Sequence, residues 1–160
     1  MSSPYIDALR MLGRRELSES QIRQRLARKG HAQEDVEVAV ARLKDERAID
    51  DARVAAAIAR TETAVKRRGK LRVRRTIENA GITPDVARQA LDAVFDEVDD
   101  DQLLQAALGR RLRGDRVIGD DREFQRLYRY LMVQGFESDR VLRALRARRG
   151  PASSGTDDAE

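Results

Sequence analysis

Lys66 to Arg75 is the densest run of charge in the chain. Lys66, Arg67, Arg68, Lys70, Arg72, Arg74 and Arg75 are basic, and none of the ten residues is acidic. Ammonium and guanidinium groups packed this closely suit the binding of phosphate or carboxylate, the guanidinium through paired N–H donors. A surface that neutralises several phosphates loses affinity steeply as salt rises. The run therefore reads as a contact surface for nucleic acid or for an acidic protein face. With no acid inside it, it is expected to be locally unpaired. Gly69 is expected to break the chain between two helices. The helix beginning near Leu71 would then offer free amides that favour an anion. Two smaller basic groups accompany it. Arg23, Arg25, Arg28 and Lys29 form the first, and Arg140, Arg143, Arg146, Arg148 and Arg149 the second. From these, the binding candidates are Arg25, Arg28, Lys29, Arg143 and Arg146, beside the seven basic residues of the central run. Tyr128 has helical spacing to Phe124 and Leu131 and reads as core, which leaves Tyr130 as the better exposed aromatic.

Other chemistries lack residues. There is no Cys and a single His, so disulfides, thiolate chemistry and multi-histidine metal sites are excluded. His31 follows Gly30 and reads as a turn residue. The acids Asp92, Asp96, Glu97, Asp99, Asp100 and Asp101 lack the loop glycine and alternating ligand positions of a calcium site. They read as a helix junction that favours the next helix N-terminus. Neither glycine-rich phosphate loop occurs. No catalytic residue, metal or cofactor is nominated, and the expectation is a protein that binds and does not catalyse. The N-terminus is polar and helical in pattern, unlike a signal peptide, and no apolar run approaches a membrane span. A cytoplasmic monomer is expected.

The elements that must carry these charges are helices. Proline occurs only at Pro4, Pro84 and Pro151, and apolar residues recur at helical spacing. Ile6, Leu9 and Leu12 mark the first segment, Ile22 and Leu26 the second, Val36, Val40 and Leu43 the third. Ser18 with Gln21 suggests a capping box. Thr83 before Pro84 suggests a hydroxyl cap, and Asp50 or Asp51 and Asp120 suggest further caps. With 38% charged and only 4% aromatic residues, the pattern predicts solvated helices over thin aliphatic cores.

The chain repeats itself. When Gly30, Gly81 and Gly135 are aligned, Ile22, Val73 and Leu127 stand eight residues before them, and Leu26, Ile77 and Leu131 four before. The ninth residue after each is Ala39, Ala90 or Ala144, and the tenth is Val40, Leu91 or Leu145. Each unit reads as a helix pair around a glycine stop with a further helix in front. The fold class predicted is all-α, with three tandem three-helix repeats over residues 1–49, 50–97 and 98–149 and a disordered tail over 150–160. Units this small should stabilise one another.

Several short motifs recur in a familiar order. They are Arg15-Glu16-Leu17-Ser18, then Leu26-Ala27-Arg28-Lys29-Gly30, then Ala48-Ile49-Asp50-Asp51, then Arg67-Arg68-Gly69-Lys70 with Ile77 to Ile82. In this the sequence resembles the RecX family of RecA modulators over about residues 5–149. It departs at Ala48, where glycine is usual, at Val54, where an aromatic is common, and at Ala80, where lysine is frequent. The resemblance implies an elongated, curved array that lies in the groove of the RecA nucleoprotein filament and inhibits ATP hydrolysis and strand exchange. It also implies contact with DNA, single-stranded or duplex. The residues alone leave a second reading open, an autonomous helical DNA- or RNA-binding protein.

Overall fold

The computed structural model describes residues 2–150; the expected disordered tail therefore lies almost wholly outside the described residues. Within them the chain forms nine α-helices and no strand, only an isolated bridge between Ile118 and Arg149. They are α1 (Pro4–Leu12), α2 (Glu19–Arg28), α3 (Gln33–Asp45), α4 (Asp51–Ala64), α5 (Lys70–Asn79), α6 (Pro84–Phe95), α7 (Asp100–Gly109), α8 (Asp121–Gln134) and α9 (Ser138–Ala147). The helices pack in consecutive threes, each trio around its own small core.

The aligned aliphatics build those cores. Ile22, Leu26 and Val40 are buried in the first, Val73, Ile77 and Leu91 in the second, and Leu127, Leu131 and Leu145 in the third. Phe95 packs against both the second and the third. Gly30, Gly81 and Gly135 all adopt positive φ, at 88°, 79° and 94°, the left-handed turn that lets the chain reverse after the middle helix of each unit.

Caps set the helix starts. Ser18 accepts from the Gln21 amide at 3.1 Å while the Gln21 side chain accepts from the Ser18 amide, a complete capping box. Asp50 accepts from the Arg53 amide and Asp120 from the Glu123 amide. Thr83 corrects the expectation, because it holds the N-cap position of α6 without a side-chain cap bond. There the proline at the first turn, already lacking an N–H, leaves one amide fewer to satisfy.

The α1 register is also corrected. Ile6 and Leu9 lie 41% and 36% exposed, while Asp7 and Ala8 turn inward. A buried aspartate displaces the apolar stripe that the spacing suggested. It does so because it has partners: His31 Nε2 lies 2.8 Å from Asp7 Oδ2 and Lys29 Nζ 3.2 Å from Oδ1.

Neighbouring units meet through one repeated contact. The N-cap residue of the middle helix in one unit donates to the carbonyl just before the repeat glycine of the next. In the first junction the Ser18 hydroxyl donates to the Ala80 carbonyl. In the second, the Gly69 amide donates to the Gln134 carbonyl at 2.9 Å. Asp51 accepting from the Glu19 amide, and the Arg53–Glu16 pair at 2.6 Å, add to the first junction. The guanidinium of Arg110, donating to the carbonyls of Val65 and Lys66, adds to the second.

Candidate binding surface

The central basic run does not form one uniform surface. It crosses the α4–α5 turn, where Arg67 has φ 54°, and its members separate into engaged and uncommitted groups. Glu62, with only 3% of its side chain exposed, accepts from Lys66 Nζ at 2.7 Å and from Arg68 Nη1. Burial alone would push the Glu62 carboxyl up, but the bonds from Lys66 and Arg68 outweigh it and hold the carboxyl below its ordinary range. Lys70 reaches Asp92 at 3.5 Å and lies 5.9 Å from the Phe95 ring centroid. Arg72 Nη1 donates to the Val133 carbonyl at 3.1 Å.

Two expectations are therefore corrected. The run is not locally unpaired, because a buried carboxylate one helical turn before Lys66 collects two of its cations. Nor is the α5 start an open anion site. The Gly69 amide goes to Gln134 and the Leu71 amide to the Gly135 carbonyl at 3.1 Å, so the third unit supplies the acceptors that a phosphate would otherwise provide. Arg67, Arg74 and Arg75 remain exposed with no ion-pair partner among the described residues.

The flanking groups divide in the same way. Arg23 is held between Glu19 at 2.6 Å and Glu37 at 2.9 Å, and Lys29 leans on Asp7. Arg25 and Arg28 have no carboxylate partner among the described residues. On α9, Arg140 pairs with Asp101 at 2.8 Å, and just beyond the helix Arg149 pairs with Asp121, whereas Arg143 and Arg146 are exposed and unpaired within the described residues. The structure thus brings Lys66 and Arg68 together on Glu62. It places Arg25 with Lys29 on the first unit and Arg143 with Arg146 on the third.

Sequence reading missed other cations. Arg111 lies 4.4 Å over the Tyr130 ring, so Tyr130, read as the better exposed of the two tyrosines, is half-buried like Tyr128 and lies under a guanidinium. Tyr128 hydroxyl shares a 3.0 Å bond with Ser138. Arg111, Arg116 and Arg126 line a concavity of about 400 Å³ with Tyr130 and Glu123. The signal for Arg122, Arg126 and Arg129 was present as helical spacing along α8. It was hidden by the interleaved apolar residues.

The acidic run does structural work. Asp99 caps α7, accepting from the amides of Asp101 and Gln102 at 2.8 and 3.1 Å. Burial raises the Asp100 carboxyl despite the opposing pull of Arg140. Among the described residues no cluster of His, Cys, Asp and Glu is arranged to hold a metal ion, and no helix is long and apolar enough to cross a membrane. His31 stands in the turn after α2 and there partners buried Asp7, whose carboxyl the His31 bond, against burial, holds below its ordinary value.

Residues 5–43 match the family model for the first three-helix domain of RecX. The regulatory protein RecX of Chromohalobacter salexigens is 33% identical over 144 residues, which span 90% of this chain and 91% of that protein. The chain belongs to the RecX family. The regulatory protein RecX of Syntrophotalea carbinolica is likewise 33% identical, over 84% of this chain and 88% of its own length. A crystal structure of regulatory protein RecX superposes with a TM-score of 0.75 at 26% identity, covering 90% of this chain and 70% of that one. RecX from Lactobacillus salivarius shares the fold at 17% identity, with a TM-score of 0.69 over 90% of this chain and 95% of its own. The RecX relatives match across all three units, so the repeat array is the family's architecture and the role is a regulatory one.

Proposed function

We propose that this chain binds the RecA nucleoprotein filament and inhibits RecA-dependent ATP hydrolysis and strand exchange, modulating recombination and DNA repair without catalysis of its own. The observation that carries the reading is the 33% identity to regulatory protein RecX across nine-tenths of the chain. The geometry fits it: three linked units display cations along an array, and several have no protein carboxylate among the described residues. Arg25, Arg28, Arg67, Arg74, Arg75, Arg143 and Arg146 are the contacts assigned to RecA or nucleic acid. Lys29, Lys66, Arg68, Lys70 and Arg72 join them at the edge of the surface, each already holding a protein acceptor. The chain acts as a cytoplasmic monomer, without cofactor or metal.

Inhibition by binding requires the chain to prefer one filament state over another, since a ligand of equal affinity for both shifts nothing. The direct test is capture of RecA by the immobilised chain with and without single-stranded DNA. RecA is expected to be retained, more strongly as filament. Absence of RecA from the bound fraction under both conditions would contradict the proposal.

A further inference from the structure

The first unit carries a concavity that neither the repeat nor the central basic run explains. It lies between α1, the α1–α2 loop and α2, and holds about 430 Å³, within the range of small-ligand sites. Its walls are Arg10, Arg14, Arg15, Arg25 and Lys29, and half-buried Met11 supplies an apolar side. Asp7 is the one carboxylate in the lining.

That carboxylate is already committed. His31 lies 2.8 Å from one of its oxygens, and Lys29 and Arg10 lie 3.2 and 3.6 Å from the other. Its side chain is 6% exposed, so it presents little negative charge to the opening and instead anchors Lys29 and Arg10 at the rim. The guanidinium groups of Arg14, Arg15 and Arg25 have no ion-pair or hydrogen-bond partner among the described residues. Like charges gathered around a concavity repel one another, an arrangement that an anionic ligand relieves. Guanidinium groups present paired donors that match phosphate oxygens, and in a partly enclosed site these bonds are stronger than at an open surface.

We propose that this concavity is a phosphate-binding site, with Arg14, Arg15 and Arg25 contacting the phosphate and Asp7 positioning Lys29 at its edge. The phosphate comes either from a nucleic-acid backbone or from a free phosphorylated small molecule. The proposal rests on the preceding reading only in taking Arg25 and Lys29 as binding residues.

The test omits RecA, so its outcome is independent of whether the chain inhibits RecA. Full-length chain and an Arg14→Gln/Arg15→Gln/Arg25→Gln variant are titrated with inorganic pyrophosphate, with ADP, and with an oligothymidylate lacking terminal phosphate, at several salt concentrations. An Arg60→Gln/Arg88→Gln variant, at exposed positions of the second unit, serves as a control elsewhere on the array. The three substituted arginines lie outside the cores, and the variant is expected to melt with the parent chain. The triple variant is expected to weaken binding of at least one probe tenfold or more, while the control leaves pyrophosphate and ADP binding unchanged. If the oligonucleotide is the probe affected, its salt slope should fall by about 2–3, and the source is a nucleic-acid backbone. If pyrophosphate or ADP is affected, the source is a free phosphorylated ligand. Binding of every probe unchanged by the triple variant, or no binding of any probe to the parent chain, would overturn the proposal.

Discussion

The Ser18 hydroxyl donates to the Ala80 carbonyl while accepting the Gln21 amide, so one buried side chain both starts a helix and joins two units. Ser18→Ala removes a cap worth about 1 kcal/mol and an inter-unit bond of similar net worth that leaves the Ala80 carbonyl without its donor. A loss of about 2 kcal/mol is expected in urea unfolding. A change below about 0.5 kcal/mol would show that the junction does not depend on this hydroxyl.

The equivalent contact in the second junction uses backbone alone. A Cβ built on Gly69 falls 2.5 Å from the Gly135 carbonyl oxygen, and one on Gly135 would collide with Arg72. Gly69→Ala therefore cannot be accommodated without separating the second and third units. Overpacking of this kind costs about 1–3 kcal/mol, and the Gly69 and Leu71 amides lose their acceptors as well. Thermal unfolding should show a lower midpoint and, if the units uncouple, a broader transition. A midpoint equal to the parent's would refute the close approach.

Glu62 links stability to pH. Its folded carboxyl lies below the ordinary range, so its contribution is fully present above that range and is lost as pH falls through the lowered folded value. Glu62→Gln keeps the shape and removes the charge that holds Lys66 and Arg68. Near neutral pH the variant should be less stable by about 2 kcal/mol, and the difference should shrink in acid. Parallel stability–pH curves for variant and parent would contradict the pairing.

The division of the central run into engaged and uncommitted cations predicts two classes of variant. Arg74→Glu/Arg75→Glu should leave the melting temperature nearly unchanged and weaken nucleic-acid or filament binding. If both side chains contact phosphate, neutralising them lowers the salt slope by about 2, and reversal adds repulsion. Arg68→Ala should instead lower stability, because it strips a partner from buried Glu62. Unfolding curves and salt-dependent binding, measured on the same preparations, separate the two effects.

Much of the fold was legible because it is periodic. Gly30, Gly81 and Gly135 and their aliphatics announce three equivalent units, and the core places them as the alignment requires. Local chemistry was legible where partners are close in sequence, as with Ser18 and Gln21. The rest depends on contacts between residues far apart in sequence. Nothing local tells that the α5 amides meet carbonyls of Gln134 and Gly135, so a site that reads as an open helix start is a junction. Asp7 was missed because a buried charge is uncommon and interrupts the apolar stripe at Ile6 and Leu9; its partner His31 lies in the turn after the next helix. The pocket residues Arg10 and Arg14 carry no distinctive spacing, Arg15 was marked only by its place in the Arg15-Glu16-Leu17-Ser18 motif, and only the packing of α1 on α2 brings the three to Arg25 and Lys29.

Inhibition of RecA is read from ATP hydrolysis by RecA on single-stranded DNA, titrated with this chain. Hydrolysis is expected to fall progressively as the chain approaches stoichiometry with RecA, and Arg74→Glu/Arg75→Glu is expected to shift the titration to higher concentration. Hydrolysis that stays at its starting rate through stoichiometric and excess chain would contradict the proposed inhibition.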